Sequence, residues 1–306
     1  MTRRPALRHS LLTLAALALV MNALSTSCSG DAVADSDGKV RVVTSAELFA
    51  DLIRNVGGDR VKVTALVPGH ADPHTYEPVP RRVRDVAEAD LIIINGVGLE
   101  ETLAGLIDNN AGKGVPVVEM AAGLPLIGGD PDEPDGNPHL WMNPQYAMRY
   151  VERIRDALTH VDPAGEAAYR ANADAYIQQL RALDDEIASA VAAIPQDRRK
   201  LVTFHDSFPY FAQRYGLDVA GVVVEAPGRE PSARDMARLI DRIRDDDIRV
   251  VFKEPELNAG LLEMAARDAG ARVMTLLNIA YAGDVHSYVE LMRFDAQQLV
   301  EGLASP

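Results

Sequence analysis

From residue 40 onward, short apolar runs alternate with amphipathic stretches. Strand-like runs occupy 40–44, 61–66, 91–95 and 115–119, with helical patterns between them at 46–56, 80–89 and 99–108. Pro80 stands at a first helical position, and Gly57-Gly58 closes the preceding helix. Strands separated by single helices predict βαβ units and a mainly parallel sheet. A loop rich in Pro, Gly and Asp follows at 123–138, and Asn143-Pro144 then opens a helix. Asp162-Pro163 opens the longest pattern, in which apolar residues recur mostly three and four apart from Ala168 through Tyr176, Leu180, Leu183 and Ile187 to Ile194. That spacing predicts a helix over 162–195 with one buried face. Some thirty helical residues reach about 45 Å, enough to run across two lobes and limit their hinge motion. The alternation resumes with strands at 200–204, 218–224, 249–253 and 271–276, and helices at 207–215, 232–245, 258–268 and 287–303. Ser232 and Asp235 have the spacing of a capping box. The predicted fold is α/β: an N-terminal lobe over 40–158 and a C-terminal lobe over 200–306, each a mainly parallel sheet flanked by helices, bridged by the long helix.

The N-terminus changes the picture of where such a protein works. MTRRPALRHS is basic, and the apolar run 11–24 is too short to span a bilayer comfortably, so 1–27 reads as a secretion signal. Ser25-Thr26-Ser27 then precedes Cys28, the only cysteine. Small residues before a lone cysteine resemble a bacterial lipobox, although Ser25 stands where a large aliphatic is usual. A single cysteine has no disulfide role in a secreted protein, so lipidation of Cys28 is the expectation, with 28–39 as a flexible tether. The other reading is an ordinary signal peptide with an incidental cysteine. The net charge of −14 over 306 residues repels nucleic acid and anionic membrane, and it excludes a nucleic-acid-binding function. At 47% hydrophobic and 25% charged, the composition is that of an ordinary globular protein.

Candidate chemistry sits where strands end. The stretch VPGHADPHTYEPVP (67–80) carries His74 among prolines at 68, 73, 78 and 80, which make the loop stiff and extended. His139 follows at NPHLWMNP and His205 at LVTFHDSFPYF, at near-equal intervals, each at a loop or strand exit. In open parallel sheets, ligands bind at the carboxyl ends of strands, so all three would meet in the cleft between lobes. Three neutral imidazoles with a carboxylate or water complete a tetrahedral zinc site. Trp141 and Met142, or Phe208 and Tyr210, equally allow His139 or His205 to be packed core residues.

The words PGHADPHTYEPVPRRVRDVAEADLIIINGVGLE, NPHLWMNP, TFHDSFPYFAQRYGL, EPSARDMARLIDRIR, VVFKEPELN and SYVELMRF, in this order, resemble the zinc/manganese-binding solute-binding proteins of bacterial ABC transporters. The resemblance implies two lobes bridged by a rigid helix, a buried interlobe metal, and delivery to a permease and its ATPase. It places the family's first three ligands on His74, His139 and His205. Where the family usually has an aspartate after the last strand, this chain reads Leu276-Leu277-Asn278-Ile279-Ala280-Tyr281-Ala282-Gly283-Asp284. The fourth place then falls to Asn278, to Asp284 or to water; Ile279 in register there would leave a three-coordinate site. Three histidines point to zinc, with manganese the alternative, because manganese-favouring members commonly carry glutamate where His205 stands. The expected protein is a monomer, periplasmic or held on the outer membrane face by a lipid anchor. A surface adhesin or passive metal buffer is a further alternative. A metallohydrolase is disfavoured: no HExxH, nucleophile elbow or carboxylate pair is present. His70 reads as a bystander, His160 as a helix-end residue, His286 as a minor substitute ligand beside the altered loop, Tyr76 and Glu77 as loop-fixing groups, and Asp206 as a partner orienting an imidazole. The acidic loop 128–138 reads as a solvated turn.

Overall fold

The computed structural model describes residues 38–128, 136–225, 227–228 and 231–304. The expected signal, Cys28, most of the tether and the acidic residues Asp130, Asp132, Glu133 and Asp135 lie outside the described residues. Strands β1 (Val40–Thr44), β2 (Val61–Ala65), β3 (Leu91–Ile94) and β4 (Val117–Glu119) form one four-stranded sheet, in the order β2-β1-β3-β4. Strands β5 (Lys200–His205), β6 (Asp218–Val224), β7 (Val250–Lys253) and β8 (Arg272–Thr275) form a second in the equivalent order, β6-β5-β7-β8. All the pairings are parallel, with Val42 opposite Val63 and Leu91, and Thr203 opposite Val222 and Phe252. Runs such as Leu91-Ile92-Ile93 are buried because helices cover both faces of a parallel sheet.

The first lobe carries α1 (Glu47–Gly57), α2 (Arg81–Ala87), α3 (Glu101–Asn110) and α4 (Pro144–Val161). Its ends obey the local chemistry of the sequence. Asn143 caps α4, its Oδ1 accepting from Gln145 N at 2.9 Å, with Pro144 in the first turn where a missing N–H costs nothing. Gly58 closes α1 at φ +54, donating its N–H to Arg54 O. The strand expected from 115 begins only at Val117, because Pro116 has no N–H for the ladder.

The long helix α5 runs from Glu166 to Ala192, 27 residues or about 40 Å. The Asp162-Pro163 start forms a separate single turn, Pro163–Gly165, before it. Tyr169, Ala173, Tyr176, Ile177, Leu180, Leu183, Ile187 and Val191 form its buried face. One continuous apolar core joins that face to α1 and α4 of the first lobe, and to β5, α6 (Pro209–Tyr215) and α9 (Tyr288–Ala304) of the second. The buried Asp184 adds a polar tie, accepting from Arg214 Nε and Nη2 at 3.0 and 2.7 Å and from Tyr215 OH at 2.8 Å. A carboxylate with this many donors is satisfied in a low-dielectric setting. The second lobe is completed by α7 (Ala233–Asp245), with the Ser232–Asp235 capping box formed, and α8 (Gly260–Ala269). Among the described residues, no helix is long and apolar enough to cross a membrane.

Candidate metal centre

Each sheet changes direction of winding beside its first strand, and the carboxyl ends at that point open a crevice. In the second lobe, His205 is the last residue of β5, and Glu254 directly follows the neighbouring strand β7. Glu254 Oε1 lies 3.2 Å from His205 Nδ1, obliquely placed for a full hydrogen bond, and accepts from Ser207 Oγ at 2.9 Å. In the first lobe, the buried Glu100 accepts from Ser45 Oγ at 2.7 Å and from Asn95 N at 2.8 Å, binding together the exits of β1 and β3. Asn95 in turn accepts from Tyr150 OH at 2.6 Å and donates to Pro138 O at 3.0 Å, which fixes the backbone just before His139. His74 leaves β2 in a loop pinned by Asp72, whose carboxylate accepts from His74 N at 3.0 Å and Thr75 Oγ1 at 3.2 Å. Thr102 ties the same loop to α3, donating to Pro73 O at 3.2 Å.

These three supports bring His74, His139 and His205 together. His139 Nε2 is 3.2 Å from both His74 Nε2 and His205 Nε2, and one ring nitrogen from each of the three lies within 4.8 Å of the others. Two nitrogens on a tetrahedral zinc at 2.0–2.1 Å stand about 3.3 Å apart, which the two spacings from His139 match closely. Among the described residues, no other group of histidines, cysteines or carboxylates converges in this way.

The tautomers can be read from the surroundings. Asn137 Nδ2 faces two acceptors, Asp206 O at 2.7 Å and Asp206 Oδ2 at 3.2 Å, so its Oδ1 is the atom turned to His139. That oxygen accepts from His139 N at 3.0 Å and lies 2.9 Å from His139 Nδ1, which therefore carries the proton. Glu254 Oε1, 3.2 Å from His205 Nδ1, draws that ring's proton to Nδ1 by its charge and not through a hydrogen bond. Both rings consequently turn Nε2 lone pairs toward each other. Two facing lone pairs repel unless a cation or a proton stands between them. The donor set fits a metal ion on this ground.

Electrostatics divides the three rings. Burial lowers His74 to about 4, Asp72 opposing and His205 assisting. Burial likewise holds His139 well below its usual range, reinforced by His205 and His74. Burial is the largest single influence on His205 and pulls it down too, but the charge and contact of Glu254, with the charges of Asp72 and Glu256, together outweigh it, and the net shift is upward. Two imidazoles are thus neutral and ready to coordinate, while the third is the one that competes for a proton.

Asn278 is 1% exposed; its carbonyl accepts from Trp141 Nε1 at 2.7 Å, and its Oδ1 is buried without a hydrogen-bond partner. Trp141 packs against the His139 ring at 5.1 Å and is held by Tyr288 OH, which donates to Trp141 O at 2.7 Å. Asp284 lies exposed on the surface, as do His70, His160 and His286. Glu77 is exposed and fixes nothing; Asp72 does the work expected of it, while Tyr76 packs against the first lobe's core. Asp206 orients an imidazole at one remove, through Asn137. Sequence reasoning missed Asn137 and Glu254 as supports. Their signals were present: an asparagine two residues before a candidate ligand, and a glutamate at a strand exit.

A family model described as zinc-uptake complex component A, periplasmic (ZnuA) matches residues 42–302. The manganese-binding lipoprotein MntA of Halalkalibacterium halodurans is 33% identical over 296 residues, spanning 94% of this chain and 96% of that protein. The iron-binding protein YfeA of Yersinia pestis is 31% identical over 88% of each chain. A manganese-bound periplasmic metal-binding protein from Candidatus Liberibacter asiaticus has a TM-score of 0.78 at 29% identity, covering 87% of this chain and 99% of that one. Fold, cluster and relatives together define a metal-binding, substrate-binding component of an ABC transporter, a transport protein and not an enzyme. The chain belongs to the ZnuA family, that of the periplasmic component A of zinc-uptake complexes.

Proposed function

We propose that the protein captures one divalent ion, zinc, outside the cytoplasmic membrane and hands it to an ABC permease powered by its ATPase. His74, His139 and His205 are the ligands in this reading, the protein acts as a monomer, and a lipid on Cys28 holds it at the membrane through the tether 28–39. Lobes over 40–158 and 200–306, bridged across 162–195, each contribute to the cleft.

The observation that carries the reading is the pair of opposed Nε2 atoms of His139 and His205, 3.2 Å apart, with their Nδ1 protons directed at Asn137 and Glu254. Zinc is favoured over manganese because imidazole suits the borderline-soft ion, whereas manganese prefers carboxylate and water oxygen. Manganese is the second reading, supported by the name of a relative with 33% identity. Asn278 Oδ1 is the neutral candidate for the fourth position, supported by its burial without a partner. The test is competition of Zn²⁺ and Mn²⁺ for the metal-free protein against a chelator. Tight, one-to-one zinc binding that is lost in His139→Ala and kept in His70→Ala is the expected result. Manganese binding more tightly than zinc would overturn the choice of ion, and equal effects of the two substitutions would overturn the ligand set.

A further inference from the structure

The loop leaving β7 reads Glu254-Pro255-Glu256, and the second glutamate has no partner to explain its position. Residue 256 is only part-buried, yet both of its carboxylate oxygens are sealed from water and neither makes a hydrogen bond. A glutamate in a loop at the molecular surface normally turns its charge outward; this one turns it in. Leu257 N donates to Glu254 O at 3.3 Å, so the chain turns tightly here and keeps Glu256 close to Glu254. The charges that act on the Glu256 carboxyl are those of Glu254 and His205 in its own lobe and Asp72 beside His74 in the other, so it stands near the histidine cleft though outside the 4.8 Å cluster of the three imidazoles, and would turn toward the ion to bind it. Burial, with Glu254 and Asp72 adding to it, pushes this carboxyl up to about 8.

A dication among three neutral imidazoles would be buried with no anion among its own ligands, which is costly in a low-dielectric cleft. Glu254 uses Oε1 toward His205 Nδ1 and Ser207, leaving only Oε2 unpartnered. Asn278 offers only a neutral oxygen. We propose that Glu256 supplies the fourth, anionic donor to the captured ion, its unpartnered carboxylate joining His74, His139 and His205. This rests on the metal-capture reading and gives it a charge-compensating ligand from the second lobe. A mixed imidazole–carboxylate set also accommodates manganese better than imidazoles alone, so Glu256 tunes selectivity as well as affinity.

The test compares wild type, Glu256→Gln, Glu256→Asp and Asn278→Ala, each stripped of metal and titrated with Zn²⁺ and Mn²⁺ against a chelator, with the visible spectrum of Co²⁺-loaded protein as a second readout. Glu256→Gln keeps the volume and removes the charge. It should weaken Mn²⁺ by at least about 100-fold, beyond the 10–100-fold usual for an outer-shell change, weaken Zn²⁺ less, and alter the cobalt spectrum. Glu256→Asp should recover part of the loss, which a merely structural role would not produce. Asn278→Ala removes the competing neutral oxygen and should alter the cobalt spectrum less than Glu256→Gln does. Unchanged affinities and an unchanged cobalt spectrum in Glu256→Gln would overturn the proposal, as would loss confined to Asn278→Ala. Thermal melting of the metal-free variants separates misfolding from ligand loss, and Glu256→Asp decides the matter if Glu256→Gln does not fold. Should wild type bind no ion, or His139→Ala bind as tightly as wild type, it is the metal-capture reading that fails.

Discussion

Asn137 offers the sharpest test of how the cleft is held. Its side chain reaches both lobes: Oδ1 meets His139 N at 3.0 Å and His139 Nδ1 at 2.9 Å, while Nδ2 donates to Asp206 O and Oδ2 at 2.7 and 3.2 Å. Truncation to alanine removes all four contacts. Asp206 is part-exposed and recovers water, but His139 is 3% exposed, and its two donors are left buried without an acceptor. At about 1–3 kcal/mol for each such donor, and with some relaxation, Asn137→Ala should destabilise the metal-free protein by about 2–4 kcal/mol. The ring also loses the contact that fixes its tautomer. Losing a partner of this kind typically costs 10–100-fold in metal affinity, or about 1.4–2.8 kcal/mol. Urea unfolding measures the first quantity, and chelator competition for zinc at pH 7.5 the second. Asn137→Asp separates the two, because it keeps the acceptor for His139 but sets a second carboxylate against Asp206. It should be less stable than wild type yet hold zinc more tightly than Asn137→Ala does. Unchanged zinc affinity in Asn137→Ala, or equal weakening in both variants, would refute the orientation argument.

The pH dependence of binding should reflect one imidazole proton and not three. His74 is held at about 4 and His139 well below its usual range, so neither competes with the ion near neutrality, whereas Glu254, with Asp72 and Glu256, keeps His205 above its ordinary value against the opposing pull of burial. In Glu256→Gln, zinc affinity should therefore rise about tenfold per pH unit between pH 5 and 6.5 as the single proton on His205 is displaced, with a second tenfold in wild type, where the Glu256 carboxyl held at about 8 also gives up a proton; a slope of two or three tenfolds per unit in Glu256→Gln would refute this division. The depressed His74 acts on stability in the same direction: its contribution to the metal-free fold is present above pH 6.5 and lost as the pH falls toward about 4, measurable as a falling urea midpoint. Asp184→Ala should lower stability by about 2–3 kcal/mol, discounted because Arg214 is partly exposed, while leaving zinc affinity unchanged; a parallel loss of binding would mean that the bridging helix shapes the cleft directly. Cys28→Ala should release the protein from membranes into the soluble envelope fraction, and retention in the membrane fraction would sink the lipid anchor.

Most of the architecture was legible because it rests on local chemistry. Asn143-Pro144, Gly57-Gly58 and the Ser232–Asp235 pair set helix ends through caps that involve only neighbouring residues. Buried parallel strands advertise themselves as apolar runs, and the recurrence of apolar residues marked the buried face of the helix Glu166–Ala192. The three histidines were legible for the same reason: each stands at the exit of an element that the pattern locates. Less visible was what holds them. Asn137 acts on His139 two residues away but is itself held by Asp206 from the other lobe, a pairing with no sequence periodicity. Glu254 meets His205 only because β5 and β7 are neighbours in the sheet, an adjacency set by the strand order and not by distance along the chain.

By itself, then, the sequence determined the alternation of strands and helices, the two-lobe division, the apolar face of the bridging helix and the set of histidines that could meet. These depend on patterns within one element and on turn chemistry, which short-range sterics and hydrogen bonding control. Only the tertiary structure decided that His139 and His205 direct their Nε2 atoms at each other, that His205 alone keeps an elevated proton affinity, that Asp284 stays on the surface, and that the Glu256 carboxylate turns inward with no partner. Tautomer, charge and burial are properties of what surrounds a side chain, and here those surroundings are assembled from loops of both lobes.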